Sequence, residues 1–152
     1  RDPLLTTGQW HDRMADWGPE LIMGTLNAFA AGKLTPMAQD SKLATHAKKL
    51  SKSEGVFDPR LSSELALAQI HGLEPWPRCS ASIGGIRVQL RRGKMGHSGP
   101  ECAGLVDEFG QLRCHDGWIQ VTEVQPESRK SMSFTDFARG LTCEWPQPIK
   151  GD

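Results

Sequence analysis

The stretch from Leu34 to Pro77 separates two parts of the chain with different patterns, and it therefore constrains the fold more than any other feature. Proline and polar residues dominate its first half, as is typical of an extended connector. Up to residue 55 it carries two acids and four lysines, which are Lys42, Lys48, Lys49 and Lys52. A connector that is also basic indicates contact with a partner as well as a link between domains.

Apolar residues before the connector recur at the spacing of an amphipathic helix. They are Trp10, Met14, Trp17, Leu21, Ile22, Leu26 and Phe29. Thr6 followed by Gln9 fits a capping box at the start of a helix, and Gly32 predicts its C-terminal end. Because proline suits a first helical turn better than a helix interior, Gly18-Pro19 predicts that a second helix begins there.

From Cys79 onwards the pattern changes to a period of two, which indicates strands. Gly84-Gly85 and Asp116-Gly117 are two-residue hairpin signals between such strands. The run after the first signal alternates, and its two faces therefore have different environments. We expect the core face to hold Ile86, Val88 and Leu90 and the solvent face to hold Arg87, Gln89 and Arg91.

Glycine, proline and capping residues mark the remaining boundaries. Ser62 or Ser63 predicts a helix that ends at Gly72, and Ser133 predicts another that ends at Gly140. Residues 91–104 hold four glycines and one proline, which predicts a mobile loop before a strand at Leu105-Val106. The tail with Pro146 and Pro148 is predicted to be irregular. Trp76 between two prolines is expected to pack, with stacking on a base as the alternative.

About five short strands with one helix before them and one helix late in the chain predict a small antiparallel barrel, an α+β fold. The pattern alone does not separate an oligonucleotide-binding-type (OB-like) barrel from an SH3-like one. A length of 152 residues allows one full domain, or a small domain with an appendage.

Charge and apolar content exclude several classes of protein. Lys and Arg total 18, as do Asp and Glu, so nucleic-acid binding would have to use local patches rather than the whole surface. No apolar run approaches the roughly 20 residues that span a bilayer, and no signal peptide opens the chain. Since the chain starts at Arg1, we expect a processed chain or an excised fragment.

No motif predicts an active site or a metal site. The chain has no phosphate loop, dinucleotide fingerprint or GxSxG motif. His11 and Asp12 are neighbours on a helix and point about 100° apart, so we expect a solvated face. The four cysteines form no CxxC pair and predict buried reduced thiols, with disulfides or a zinc site at Cys114-His115 as alternatives. They are Cys79, Cys102, Cys114 and Cys143.

Ordered motifs along nearly the whole chain resemble methionyl-tRNA formyltransferases. The connector motifs are Leu34-Thr35-Pro36, Gln39-Asp40, Ala47 followed by Lys49-Leu50-Ser51-Lys52-Ser53-Glu54, and Pro75-Trp76-Pro77. Thr7-Gly8 with His11-Asp12-Arg13-Met14-Ala15 resembles a helix near the end of the family's catalytic domain. Val124-Gln125-Pro126-Glu127 with Arg129-Lys130-Ser131-Met132-Ser133 and Asp136-Phe137 resembles a late motif of its C-terminal domain. His46 and Pro59 depart from the family's usual residues.

The resemblance implies three segments: residues 1–32 as terminal helices of a truncated catalytic domain, 33–60 as a basic linker, and 61–152 as an OB-like C-terminal barrel. It also implies that the first helices pack on the missing catalytic domain, whereas the residues alone allow packing on the barrel. The family's catalytic Asn, His and Asp precede Arg1, so no catalytic residue, metal or cofactor is expected in this chain. The parent enzyme would use 10-formyltetrahydrofolate, and the chain alone is expected to be inactive.

The resemblance further implies that the linker and barrel bind initiator Met-tRNA, in a monomer of the bacterial cytoplasm or an organelle matrix. We expect the contacts to be mainly with phosphates, because the candidate residues are Lys and Arg without an interleaved aromatic row. The candidate RNA-binding residues are Lys48, Lys49, Lys52, Arg87, Arg91, Arg92, Lys94, Arg129, Lys130 and Arg139. Two alternatives remain open. A sugar-nucleotide formyltransferase barrel would not need the linker lysines, and a protein-interaction barrel would show an apolar groove.

Overall fold

The structure is a computed structural model that describes residues 5–151. Residues 1–4 and 152, with which the predicted segments begin and end, lie outside the described residues. The contacts divide the chain into two compact units, Gly8–Leu50 and the residues from Ser51 onwards together with those up to Thr7. Each unit has its own architecture.

The elements follow the predicted change from helix to strand. The helices are α1 (Thr7–Ala30), α2 (Ser63–Gly72) and α3 (Phe134–Arg139), with short 3-10 turns at Ser41–Leu43 and Lys52–Gly55. The strands are β1 (Cys79–Ile83), β2 (Ile86–Met95), β3 (Leu105–Val106), β4 (Gln111–Arg113), β5 (Trp118–Pro126), β6 (Met132–Ser133) and β7 (Gln147–Gly151).

Helix α1 is one helix of 24 residues, so the predicted break at Gly18-Pro19 is wrong. Proline removes one hydrogen bond from the ladder, and the helical turns on both sides keep theirs. The predicted end is confirmed, because Gly32 has a φ of 64° and the Lys33 N–H donates to the Ala28 carbonyl at 2.9 Å. This bond pattern is typical of a glycine-terminated helix.

Six antiparallel strands close into a barrel, which confirms the predicted α+β barrel fold. Around the barrel the order is β2, β1, β7, β3, β4 and β5, and β5 pairs back with β2. Strand β6 adds to β5 outside this ring. Closure removes the exposed edges that an open sheet would present.

Both predicted hairpins are present, and local turn chemistry explains the first. In the second, Arg113 pairs with Trp118 across four residues, so the predicted two-residue turn at Asp116-Gly117 is wrong. Gly84 and Gly85 have φ values of 57° and 75°, as a tight two-residue turn between twisted strands requires. Val88 and Leu90 are buried as predicted. Ile86 is not, because it follows the turn directly at the end of the barrel and remains 40% exposed.

Two predicted irregular segments are strands instead. Residues 91–95 continue β2, which passes through a bulge near Arg91 and then pairs with β5 as far as Met95. The tail forms β7, whose Ile149 pairs with Ile83. Since β7 pairs with β1 on one side and β3 on the other, it joins the two edges that would otherwise stay open.

The barrel encloses one apolar core, with α2 and α3 packed against it. Ser62 caps α2 by accepting from the Leu65 N–H at 3.3 Å, and Ser133 caps α3 by accepting from the Asp136 N–H at 3.1 Å. Both caps confirm the predicted helix starts.

The four cysteines are free thiols, so the disulfide alternative is wrong. Cys79 and Cys114 are buried as predicted, whereas Cys102 is exposed and Cys143 is half-buried. Burial raises the pKa of the Cys79 thiol to about 12 and that of the Cys114 thiol to about 11, because a thiolate loses its hydration there.

Candidate nucleic-acid interface

A groove of about 360 Å³ runs over the outer surface of the barrel, across the paired ends of β1, β2 and β5. It lies within the unit that begins at Ser51. Five of its eleven lining residues carry cationic or amide side chains. The lining residues are Lys52, Pro77, Arg78, Ser80, Arg87, Val88, Gln89, Gln125, Pro126, Glu127 and Ser128.

One wall of the groove comes from the segment between α2 and β1. Arg78 lies there with a φ of 73°, the left-handed region that few side chains adopt. Its N–H donates to the Leu73 carbonyl at 2.9 Å, and a Cβ added to Gly55 would collide with the Arg78 carbonyl oxygen. The two segments pass so close together that position 55 needs glycine. Leu73 and Gly55 thus hold the Arg78 backbone from both sides.

The segment around Gly55 also places Lys52 at the groove. The segment that follows Lys52 lies along the start of β1, where Val56 forms a bridge with Ser80. The Phe57 N–H donates to the Ser80 carbonyl at 2.9 Å, and Phe57 is buried in the core. The buried ring of Phe57 therefore anchors the segment and fixes the position of Lys52 at the surface.

The floor of the groove is a pair of facing glutamines. Gln89 and Gln125 are directly opposite each other in the pairing of β2 with β5, so their side chains lie on one face. Arg78 donates from Nη1 to Gln89 Oε1 at 2.7 Å and to Gln125 Oε1 at 3.3 Å. The Gln125 amide nitrogen in turn donates to the Arg129 carbonyl at 3.0 Å, which ties the floor to the turn after β5.

The charges of the lining favour an anionic ligand. Lys52, Arg78 and Arg87 contribute three positive charges, and Glu127 contributes one negative charge. A concave surface with an excess of one charge concentrates ligands of the opposite charge. The amide floor adds neutral groups that donate and accept hydrogen bonds.

The structure brings only some of the predicted cations to this groove. Lys52 and Arg87 line it, and Arg129 and Lys130 are exposed on the turn that follows its Glu127 and Ser128. Lys94 is exposed further along β2, on the strand and not on a loop. Lys48 and Lys49 are exposed but belong to the other unit.

Three other predicted cations already face carboxylates or a separate depression. Arg91 is half-buried and donates from Nη2 to Glu74 at 2.5 Å, so the expectation that it faces solvent is wrong. Arg139 is exposed and pairs with Asp136 at 3.1 Å. Arg92 lies opposite Glu123 in the β2–β5 pairing and lines a shallower depression with it.

Sequence reasoning missed Arg78, Gln89 and Gln125 as parts of the site. Arg78 follows Pro75-Trp76-Pro77 directly, and no local pattern shows that its side chain reaches across β2 to β5. Trp76 itself is 50% exposed, so the expectation of packing is wrong. The outward alternation of β2 did predict the direction of Gln89, but not its partner.

Residues 5–151 show neither a metal-binding cluster nor a membrane-spanning helix. No group of three or more His, Cys, Asp or Glu side chains in this range is arranged to hold a metal ion. None of the helices found there combines the length and the apolar content that crossing a membrane requires.

A closed six-stranded barrel with a basic, amide-floored groove defines a small β-barrel domain suited to anionic ligands. The chain belongs to the formyl transferase family, since residues 49–142 match the C-terminal domain of that family. This span includes the Lys52 segment and all strands but β7.

Curated relatives extend the match beyond this domain. The chain is 32% identical over 150 residues to the methionyl-tRNA formyltransferase of Pseudoalteromonas translucida, covering 94% of this chain and 46% of the relative. It is 34% identical over 137 residues to that of Stutzerimonas stutzeri, covering 87% and 43%. The chain thus spans about half the length of the curated relatives it matches.

Solved structures share the fold at low sequence identity. HypX from Aquifex aeolicus, in complex with tetrahydrofolic acid, gives a TM-score of 0.58 at 17% identity over 80% of this chain and 22% of that one. A multiply substituted variant of the same HypX gives a TM-score of 0.61 at 16% identity, over 80% of this chain and 24% of that one.

Proposed function

We propose that this chain is the tRNA-binding C-terminal part of a methionyl-tRNA formyltransferase. The observation that carries the proposal is the groove, in which three cations and two amides meet on the barrel of a formyl transferase C-terminal domain. The names of the curated relatives support tRNA as the partner. Their bacterial origin supports the cytoplasm as the location.

In this proposal the whole enzyme formylates initiator Met-tRNA with 10-formyltetrahydrofolate, and the chain contributes to holding the RNA. The described lining of the groove contains no aromatic side chain, so it offers no stacking surface for the pterin ring of a folate. We expect the formyl donor to bind the part of the enzyme outside this chain. The chain alone should transfer no formyl group.

The contacts with tRNA would be made mainly to phosphates. Lys and Arg are the residues of this surface that can bind an anion. Contacts between these cations and phosphates hold the RNA backbone without reading its sequence. The barrel should therefore bind initiator and elongator tRNA with similar affinity. Discrimination between them would be made by the part of the enzyme outside this chain.

A salt titration of tRNA binding tests the proposal. If three to five cations neutralise phosphates, log K should fall with log salt at a slope of roughly −2 to −5. Replacing Lys49 and Lys52 together with glutamine should reduce the magnitude of this slope by about 1–2. The matched control is Arg60→Gln, which removes an exposed cation that pairs with Asp58 at 2.9 Å. A salt-independent affinity, or a strong preference for initiator tRNA, would contradict the proposal.

The groove favours the proposal over a protein-interaction barrel, and the connector lysines favour it over a sugar-nucleotide enzyme. A protein-interaction barrel would present an apolar groove, whereas the lining here is cationic and amide-rich. A barrel that serves a sugar nucleotide has no need of the exposed lysines of the connector. Loss of tRNA affinity in the double lysine variant would therefore favour the tRNA enzyme.

A further inference from the structure

We propose that Arg78 is the principal phosphate-binding residue of the barrel, and that the two facing glutamines hold its guanidinium ready for an RNA phosphodiester. This inference rests on the proposed function and deepens it, since it assigns the contact to one residue that carried no signal in the sequence. Hydrogen bonding, charge and backbone conformation support it independently.

The guanidinium of Arg78 is oriented by neutral oxygens alone. Nε donates to the Pro75 carbonyl at 3.1 Å, and Nη1 donates to Gln89 and Gln125. These three bonds fix the plane of the group, and Nη2 has no acceptor among residues 5–151. The N–H groups of Nη2 therefore remain available beside a groove that Arg78 lines.

The positive charge of Arg78 also lacks an ion-pair partner among the described residues. Within the described part of the chain no carboxylate pairs with it, whereas Arg60, Arg91 and Arg139 pair with Asp58, Glu74 and Asp136. Gln125 makes the contrast direct, since its Oε1 accepts from both Arg91 and Arg78. Two arginines share one amide, and only one of them has a carboxylate. A half-buried guanidinium without an anion is suited to take one from a ligand.

The backbone of Arg78 is strained in order to place the side chain there. Its φ of 73° lies in the left-handed region, which is unfavourable for a residue with a Cβ. Glycine would adopt this conformation without that cost. Strain of this kind is concentrated at functional sites, and here it places a cation on the groove wall.

The ligand class follows from this geometry. An arginine whose free N–H groups open onto a groove with Lys52 and Arg87 fits a phosphate oxygen, with the two other cations placed for the neighbouring charges of a backbone. Neutral glutamines keep the position of Arg78 without cancelling its charge. A sugar-phosphate chain is therefore the partner, and base identity is not read.

The test compares Arg78→Gly with matched controls in the full chain. Arg78→Gly removes the guanidinium and relieves the strain, so tRNA affinity should fall about tenfold or more at low salt. The magnitude of the salt slope should fall by about 1. The thermal midpoint should change by less than about 4 °C, since relief of strain offsets the lost hydrogen bonds. Arg78→Lys keeps the positive charge but loses the planar guanidinium with its paired N–H donors. It should bind tRNA with intermediate affinity.

Two controls separate charge from strain. Arg60→Gln removes one exposed positive charge outside the groove and should change affinity by less than about twofold. Arg78→Asn also removes the guanidinium but keeps a side chain at the positive φ, and it should weaken tRNA binding as much as Arg78→Gly does. If Arg78→Gly weakens tRNA binding no more than Arg60→Gln does, the proposal is wrong.

A second measurement makes failure of this inference distinguishable from failure of the proposed function. Titration with dimethyl phosphate, followed by NMR of arginine Nε–H groups, should shift Arg78 before Arg60 and Arg139. If wild type does not bind tRNA but dimethyl phosphate shifts Arg78 selectively, the tRNA function fails and the phosphate site stands. Uniform small shifts of all arginines would overturn the assignment of Arg78.

Discussion

The barrel unit and helix α1 place the same kinds of apolar side chain in opposite environments. Leu90 of the barrel is fully buried, whereas Leu21 of α1 is 72% exposed. No described residue of α1 is buried, although Trp17, Ile22, Leu26 and Phe29 also lie on it. The barrel therefore carries its own core, and the helix has an apolar surface without one.

The difference shows that helical periodicity predicts an amphipathic face but not what covers it. Burial of a large apolar side chain contributes about 1.5–3 kcal/mol, and only the barrel receives this contribution within its own unit. Helix α1 depends on its hydrogen bonds and helix propensity instead. Exposed apolar stripes of this extent indicate an interaction surface.

The largest expected contrast is between two identical substitutions. Leu90→Ala should reduce the free energy of unfolding by about 2–5 kcal/mol, because it removes buried methyl groups and leaves a cavity. Leu21→Ala should change it by less than about 0.5 kcal/mol. Val88→Ala should lie between, at about 1–3 kcal/mol. Urea denaturation of the barrel, monitored by fluorescence, gives these values, and similar losses for both leucines would refute the contrast.

Two glycines give the next contrast, with opposite signs. Gly110 has a φ of 82°, and a Cβ there would lie 3.0 Å from the Phe134 ring and collide with the Val121 carbonyl oxygen. Gly110→Ala should therefore destabilise the barrel by about 1–3 kcal/mol. A Cβ added to Gly24 of α1 would meet no atom within 4 Å beyond the adjacent turns of its own helix, and Gly24→Ala should stabilise the helix by about 1 kcal/mol.

Thermal unfolding followed by circular dichroism measures both glycine variants. The Gly110 variant should lower the midpoint of the barrel transition, and the Gly24 variant should increase the helical signal. A stabilising effect of Gly110→Ala would show that the turn tolerates a side chain, and it would remove the stated reason for glycine there.

Thiol labelling compares exposed and buried cysteines within the barrel unit. Cys102 is exposed and should react with a neutral-pH thiol reagent in the native state. Cys79 and Cys114 should remain unlabelled at pH 8, because they are buried and their pKa values are raised to about 12 and about 11. They should react once the chain unfolds in denaturant. Mass spectrometry of native and denatured samples reads the sites, and native labelling of Cys79 would show that the barrel opens.

Local signals in the sequence predicted much of the fold. Gly84-Gly85 gave the hairpin, and the serines before α2 and α3 gave the helix starts, because each feature depends on a few neighbouring residues. The length of β2 and the existence of β7 depend on distant partners. Met95 pairs with Ile119, and Ile83 pairs with Ile149. Glycine and proline in these segments indicated loops, and pairing overrode that preference.

The site was predicted less completely than the fold for the same physical reason. Lys52 and Arg87, which line the groove, were predicted as candidates from charge alone, which a sequence displays. Arg78 donates to glutamines 11 and 47 residues away, and these come together only when β2 pairs with β5. Arg91 was misjudged because its partner Glu74 lies outside the sheet. The assignment of residues 33–60 as one linker also stays a prediction, although the structure groups residues from Ser51 onwards with the barrel.

The smallest expected effect concerns the start of α2, where the barrel provides a carboxylate that the first turn of α1 does not have. The first turn of α1 has no acidic residue, whereas the Ser63 N–H of α2 donates to the Asp116 carboxylate at 2.7 Å. This hydrogen bond lowers the pKa of Asp116, with a smaller opposing effect of burial. A lowered pKa in the folded state means that the ionised carboxylate stabilises the fold above its unfolded pKa of about 3.9. That stabilisation should be lost as the pH falls through the lower folded pKa.

Thermal midpoints measured from pH 7 to pH 2.5 should therefore be higher for wild type than for Asp116→Asn at neutral pH, and the two curves should converge in acid. Asparagine keeps an acceptor oxygen for the Ser63 N–H, so a constant difference at every pH would mean that shape and not charge holds the start of the helix.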